Sequence, residues 1–278
     1  FDEGDFTKAT LEAKNSIQIE PNDAKSRLLL GKILEKEGDY KGAFKNYRIS
    51  VDADPNLIEA RLRLCAIYVA SRMFSEAQVE VDVLLQQDPE NLDAQILNAR
   101  LLAQDGKQDE VEALLRNVLD VDPTKADALI LLVGVTANKD PNSALVFLEE
   151  GISVGEDTRI LRLLRIEILR RLSRDEEAES EYRALINAYP EENSFRFRFA
   201  QYLLSQGRID DVEQLLRDIV DADPESVSAR LALVRFISNV RGNEEAEITL
   251  SQYIKESPGS YELQLSLGRL YESMEQPI

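Results

Sequence analysis

Seven of the nine prolines in this 278-residue chain fall on a fixed spacing. Pro21, Pro55, Pro89 and Pro123 stand 34 residues apart, Pro190, Pro224 and Pro258 do so again, and the gap between the two runs is 67, one short of two periods. Length alone would allow two ordinary domains. A fixed period overrides that prior, because it describes one supersecondary unit repeated and stacked so that each copy touches only its neighbours.

The unit is clearest over 24–57, AKSRLLLGKILEKEGDYKGAFKNYRISVDADPNL, which reads as two amphipathic helices. Gly31 and Ala43 are small where the two helices must approach closely, and Leu30, Leu34 and Tyr47 fill the seam between them. Gly38-Asp39, Gly106-Lys107 and Gly207-Arg208 supply a residue that tolerates a left-handed turn at the end of the first helix. The recurrent VDADP (51–55), LDVDP (119–123) and VDADP (220–224) resemble a carboxylate cluster for calcium. A calcium loop needs several oxygen ligands around one glycine bend, so the motif reads better as a stop. Proline ends the second helix, and Asp54, Asp122 and Asp223 are expected to cap the next one.

The spacing of Leu30, Gly31, Leu34, Ala43, Tyr47 and Pro55 resembles the L-G-x2-Y, A-x3-F, P signature of the tetratricopeptide repeat family, and the resemblance runs from the first residue to the last. It implies an all-α fold, a right-handed superhelical solenoid of antiparallel helix pairs. Residues 1–23 are expected to form the second helix of a truncated repeat, since Gly4, Asp5, Phe6, Ala9 and Pro21 align with Gly38, Asp39, Tyr40, Ala43 and Pro55. Full repeats are expected at 24–57, 58–91, 92–125, 126–158, 159–192, 193–226 and 227–260, with 261–278 the first helix of another. Opening and closing inside a repeat leads to the expectation of a fragment of a longer protein. The 126–158 repeat is one residue short and lacks the terminal proline, but Asp140 and Pro141 make a good helix start. A local break in pitch is expected there, dividing the array into blocks of 1–122 and 158–278.

Composition excludes several chemistries. The chain has no histidine and a single cysteine, Cys65, which removes Ser-His-Asp and Cys-His catalysis, the usual zinc sites and an intrachain disulfide. No catalytic, cofactor or metal residue is assigned. The 52 acids against 33 bases give a net charge of −19, a field that repels nucleic acid and anionic lipid, and reads as a solvated face that keeps a long array soluble. No stretch is apolar for long enough to span a membrane.

Counting from the start of each repeat, the family resemblance places partner contacts on the concave face of the first helices. The fifth position carries Leu28, Leu62, Ile96, Ile130, Leu163, Phe197, Leu231 and Leu265. The ninth carries Lys32, Ala66, Arg100, Gly134, Glu167, Gln201, Arg235 and Arg269, four bases against one acid. Together with Arg170 and Asn239, the residues assigned to the groove are Leu28, Lys32, Leu62, Ile96, Arg100, Leu163, Arg170, Phe197, Gln201, Arg235, Asn239 and Arg269. The competing reading is that the apolar column only packs helices together and that the basic column is fortuitous. Chaperone-binding members hold a terminal carboxylate with lysine at position five and asparagine at nine; neither occurs here, so that clamp is not carried over. The fourth column, Arg27, Arg61, Gln95, Leu129, Arg162, Arg196, Arg230 and Gln264, is expected to form salt bridges between repeats.

The reading is a non-enzymatic scaffold for a protein or peptide, one that is acidic or carries a carboxylate. Segments such as ARLRL, ALLRNVL and ARLAL resemble those of bacterial envelope tetratricopeptide proteins of polysaccharide or protein export. Cytoplasm and envelope are both compatible with the sequence. The alternatives are a structural spacer and the regulatory part of an enzyme whose catalytic domain lies elsewhere. The register itself is testable: Ala43→Leu or Ala178→Leu should lower stability by about 1–3 kcal/mol in chemical denaturation, because each places a large side chain where two helices touch. No loss would mean that the repeats are misaligned.

Overall fold

A computed structural model of the chain describes residues 3–275, which form sixteen α-helices with no strand among them. The chain divides into two compact units, Phe1–Leu161 and Arg162–Ile278. The short helix pair expected to mark a break therefore belongs to the first unit.

The first unit holds α1 (Glu3–Ile19), α2 (Ala24–Lys36), α3 (Tyr40–Ala53), α4 (Ile58–Ala70), α5 (Phe74–Gln87), α6 (Leu92–Gln104), α7 (Gln108–Val121), α8 (Ala126–Thr136) and α9 (Pro141–Val154). Each helix from α1 to α9 packs on the next, and α6 also packs on α4 and on α8. Gly4 and Asp5, which align with turn residues one period on, lie inside α1. Most of α10 (Arg159–Arg171) falls in the second unit, followed by α11 (Asp175–Ala188), α12 (Asn193–Ser205), α13 (Ile209–Ala222), α14 (Val227–Arg241), α15 (Asn243–Glu256) and α16 (Tyr261–Glu275). Helices α11 to α16 pack in sequence, and α14 also packs on α16.

Small residues set the spacing. Ala43, Ala77, Ala144, Ala178 and Ala246, each early in a second helix, are all 0% exposed. A Cβ on Gly31 would run into the Tyr47 ring, which is itself fully buried with its hydroxyl donating to Glu35. The core runs on from repeat to repeat: Leu28, Ala43, Tyr47 and Val51 pack with Ala60 and Leu64, and Cys65, Ala77 and Val81 pack with Leu97 and Leu101.

Asp140 accepts from the amides of Asn142 and Ser143 with Pro141 in the first turn, so α9 starts as its sequence indicates. The DP turns work differently from expectation. Asp54, Asp122 and Asp223 are C-caps of α3, α7 and α13, while the next helices start after Leu57, Lys125 and Ser226. Asp54 and Asp122 accept instead from the amides two residues on, Asn56 at 3.0 Å and Thr124 at 3.0 Å, so each carboxylate closes the proline turn over itself.

The turn inside a repeat has one backbone geometry and several residues. Gly38, Gly106 and Gly207 have φ of 82°, 75° and 72°, and the same place in two of the other repeats is taken by Arg72 at 59° and Ser173 at 55°. All five close the helix alike: the amide after the left-handed residue reaches five residues back, as in Met73 to Tyr68 at 2.9 Å and Arg174 to Leu169 at 2.9 Å. A side chain in this region costs about 1–2 kcal/mol. Arg72→Gly and Ser173→Gly should therefore each raise stability in urea denaturation, by roughly 0.5–1 kcal/mol after the larger backbone entropy of glycine is offset. A loss of stability would mean that the side chains make contacts worth more than the strain.

Candidate functional site

The fourth column is structural: its ion pairs run within repeats, and its other bonds reach back to the proline turn that closes the repeat before. Arg27, Arg61, Gln95, Arg196 and Gln264 each donate to the carbonyl of the proline six residues earlier, at 2.8, 3.1, 2.8, 2.6 and 2.8 Å. The side chain crosses from the start of a first helix to the turn before it and satisfies an oxygen that the proline break leaves free. Two of these arginines, and Arg162 of the same column, reach the residue 19 positions on, in the second helix of the same repeat: Arg27 to Asn46 at 3.0 Å, Arg61 to Glu80, and Arg162 to Glu181 at 2.5 Å. The salt bridges expected between repeats are thus ties inside each helix pair.

Two residues of the ninth column do join repeats in the first unit. Lys32 pairs with Glu59 at 2.7 Å and Arg100 with Asp127 at 3.8 Å, each joining a first helix to the next one. Glu59, Asp93 and Asp127 recur every 34 residues, a readable column of acids at the second position. Asp93 is held by Lys125 at 2.7 Å. The bases assigned to partner binding in the first unit are therefore already answered.

Between these pairs lies a groove of about 670 Å³ across α4, α6 and α8. Leu62, Ala66, Val69, Ala70, Ile96 and Leu97 line it with apolar surface, and Glu59, Arg63, Asp93, Arg100 and Asp127 form its charged wall. Small side chains at Ala66 and Ala70 leave the space. On α8, Gly134 is exposed and a Cβ there would meet nothing, which continues the opening. Of the residues assigned from sequence, Leu62, Ile96 and Arg100 meet in this groove. Ile96 reaches it only as a buried floor at 5% exposure, while Leu28, at 7%, belongs to the core against Tyr47 and Leu64 and presents no rung at all. Lys32 touches the groove through Glu59. Sequence reasoning missed Val69, Ala70, Leu97 and the acid column, whose 34-residue recurrence is the signal that would have found them.

Among the described residues of the groove there is no nucleophile beside a base. Cys65, on α4, is fully buried, its thiol pushed up to about 12 by burial and by the nearby Glu80, and it donates to the Ala77 carbonyl at 3.6 Å. It is a core residue rather than a reactive one.

In the second unit, Leu163 and Phe197 are half-buried, and Gln201, Arg235, Asn239 and Arg269 are exposed. Arg235 and Asn239 lie on α14 and Arg269 on its neighbour α16. Arg170 sits 5.3 Å from the Tyr202 ring centre and 3.8 Å from Glu167, so it is partly engaged.

Two stretches match family models of the tetratricopeptide repeat, residues 34–101 and residues 163–227. No curated protein matches the chain. Among solved structures, a thermophilic tetratricopeptide repeat protein of Thermus thermophilus is 21% identical over 65% of this chain and 99% of its own, with a TM-score of 0.56. A tetratricopeptide repeat protein of Parabacteroides merdae is 15% identical over 85% of this chain and 94% of its own, at 0.59. The Naa15/Naa10 structure bound to HypK-THB is 19% identical over 98% of this chain, which spans only 44% of that one, at 0.53. These likenesses are of fold.

One buried acid ties the second unit together and makes its stability depend on pH. Glu213, 8% exposed, accepts from Arg217 on its own helix at 2.7 Å and from Arg241 at the end of α14 at 2.6 Å. The hydrogen bond from Arg217, and then those from Arg241, hold its carboxyl below the usual range. A depressed folded-state value adds stability that is present above the unfolded value, about 4.3, and is lost as pH falls through the folded one. Acid titration of unfolding should show wild type losing stability below about pH 4.3, and Glu213→Gln should start less stable at pH 7 and lose less on acidification. Parallel curves for the two proteins would show that Glu213 does not contribute.

Proposed function

We propose that this tetratricopeptide repeat chain is a non-catalytic scaffold that takes a segment of a partner protein along the face of its first helices, seated in the α4, α6 and α8 groove. Tetratricopeptide repeats make interaction scaffolds, and the single observation that favours this groove is its composition: an apolar floor opened by Ala66 and Ala70 inside a wall of charged pairs. Burying apolar side chains there would supply affinity, at about 25 cal/mol per Å². The wall would supply orientation more than attraction, since Glu59, Asp93 and Asp127 already have cationic partners. The repeat boundaries from 24 to 260 are part of the same reading. An open apolar groove favours the scaffold over a spacer, and nothing in it resembles an active centre; a place in an envelope export assembly rests on the style of the repeats alone.

Filling the groove tests the reading. Ala66 is exposed, so Ala66→Arg should leave the unfolding transition within about 0.5 kcal/mol of wild type while blocking the space. Pull-down from lysate should then lose the protein or proteins that wild type captures. Unchanged capture would favour the spacer.

A further inference from the structure

The two units treat the cations of their first helices differently. In the first, the acid column Glu59, Asp93 and Asp127 takes up the neighbouring bases. In the second, the corresponding places are Ser194, Ser228 and Glu262. Helices α12 and α14 carry Arg196, Arg198, Arg230, Arg235 and Arg241 and no acid. Arg196 is held by Pro190 and Asn193, Arg230 by Glu256 and Ser257, and Arg241 by Glu213. Arg198 and Arg235, and Arg269 on α16, are exposed and form no ion pair among the described residues. On α16, Glu262 and Glu272 form no ion pair with Arg269 or with Arg235.

We infer that the second unit binds an extended acidic protein segment across α14 and α16, with two carboxylates three residues apart meeting Arg235 and Arg269. The inference rests on the scaffold reading and names the partner that this face suits. Leu231 and Leu265 precede the two arginines by four residues, so each helix offers an apolar rung and a cation on one side. Packed helices lie about 8–10 Å apart, and in a partner segment of polyproline-II form, with three residues per turn and a rise of about 3.1 Å, residues i and i+3 lie on one side about 9 Å apart, which sets the spacing of the carboxylates. Free guanidiniums can take carboxylates in bidentate fashion. A nucleic acid suits the face less well, because its continuous negative charge would also meet the acids that crowd α13 and α15, Asp210, Asp211 and Asp218 on one and Glu244, Glu245 and Glu247 on the other.

The experiment uses the full chain and three fluorescein-labelled synthetic peptides in anisotropy titrations. One has two glutamates three residues apart with alanine and leucine between, the second has the same residues with the glutamates adjacent, and the third has glutamine for glutamate. The first should bind more tightly than the other two, and Arg235→Ala with Arg269→Ala should weaken it about tenfold, while Ala66→Arg leaves it unchanged. Equal binding of the spaced and adjacent peptides, undiminished binding to the double variant, or tighter binding of an oligouridine would each overturn the inference. If no peptide binds wild type while the groove of the first unit still captures a protein, this inference fails and the scaffold reading stands. If neither binds, both fail.

Discussion

Close approach of the paired helices is the constraint on which the rest depends. A helix of 13 or 14 residues, the length of most here, is marginal alone and stable only when its apolar face is covered. Covering it on both sides requires a small residue at the crossing, which is the place of Ala43, Ala77, Ala144, Ala178 and Ala246. Where the first helix is smallest, at Gly31, the second presents its largest buried side chain, Tyr47, so volume is conserved across the seam. Within each unit the repeats thus meet through their cores, and function is left to whatever side chains remain outside them.

Much of this was legible in the chain because it depends on local rules. Glycine at Gly38, Gly106 and Gly207, the start of α9 at Asp140 and Pro141, and the period itself all follow from backbone chemistry within a few residues. Errors arose where a side chain had a choice of partner. Asp54 and Asp122 stand one turn before a helix and looked like its caps, yet the amide two residues on is nearer than the next helix start. The fourth-column arginines looked as if they would bridge repeats, yet a carbonyl six residues back and an acceptor 19 residues on are both closer. At position five, Leu62 lines the groove while Leu28 lies in the core, because a residue on the edge of a helix face is drawn under wherever the adjoining side chains, here Tyr47 and Leu64, are large enough to cover it.

Charge in this protein is better described by which partners it has than by its total. A net charge of −19 says that the surface is solvated, but it hides an order in which acids stand mainly on the second helices of the second unit and arginines on the first. Some of those arginines are structural, fixing turns and buried acids such as Glu181 and Glu213. The exposed remainder, Arg198, Arg235 and Arg269, are positive points on a negative whole, and the reach of each is cut to about 8–10 Å at ordinary salt. Such a surface discriminates at contact and not at a distance.

The burial of Cys65 has a use that does not depend on function. It is the only thiol of the chain, and in the closed fold neither solvent nor reagent reaches it. Burial keeps the thiol protonated near neutral pH, so the native state is doubly protected against alkylation. Any labelling of this sulfur therefore records a moment when the core that α4 shares with α5 and α6 has opened, and its rate counts those openings. An array of similarly folded helix pairs carries in this way a clock fixed to one place along it, the core around α4.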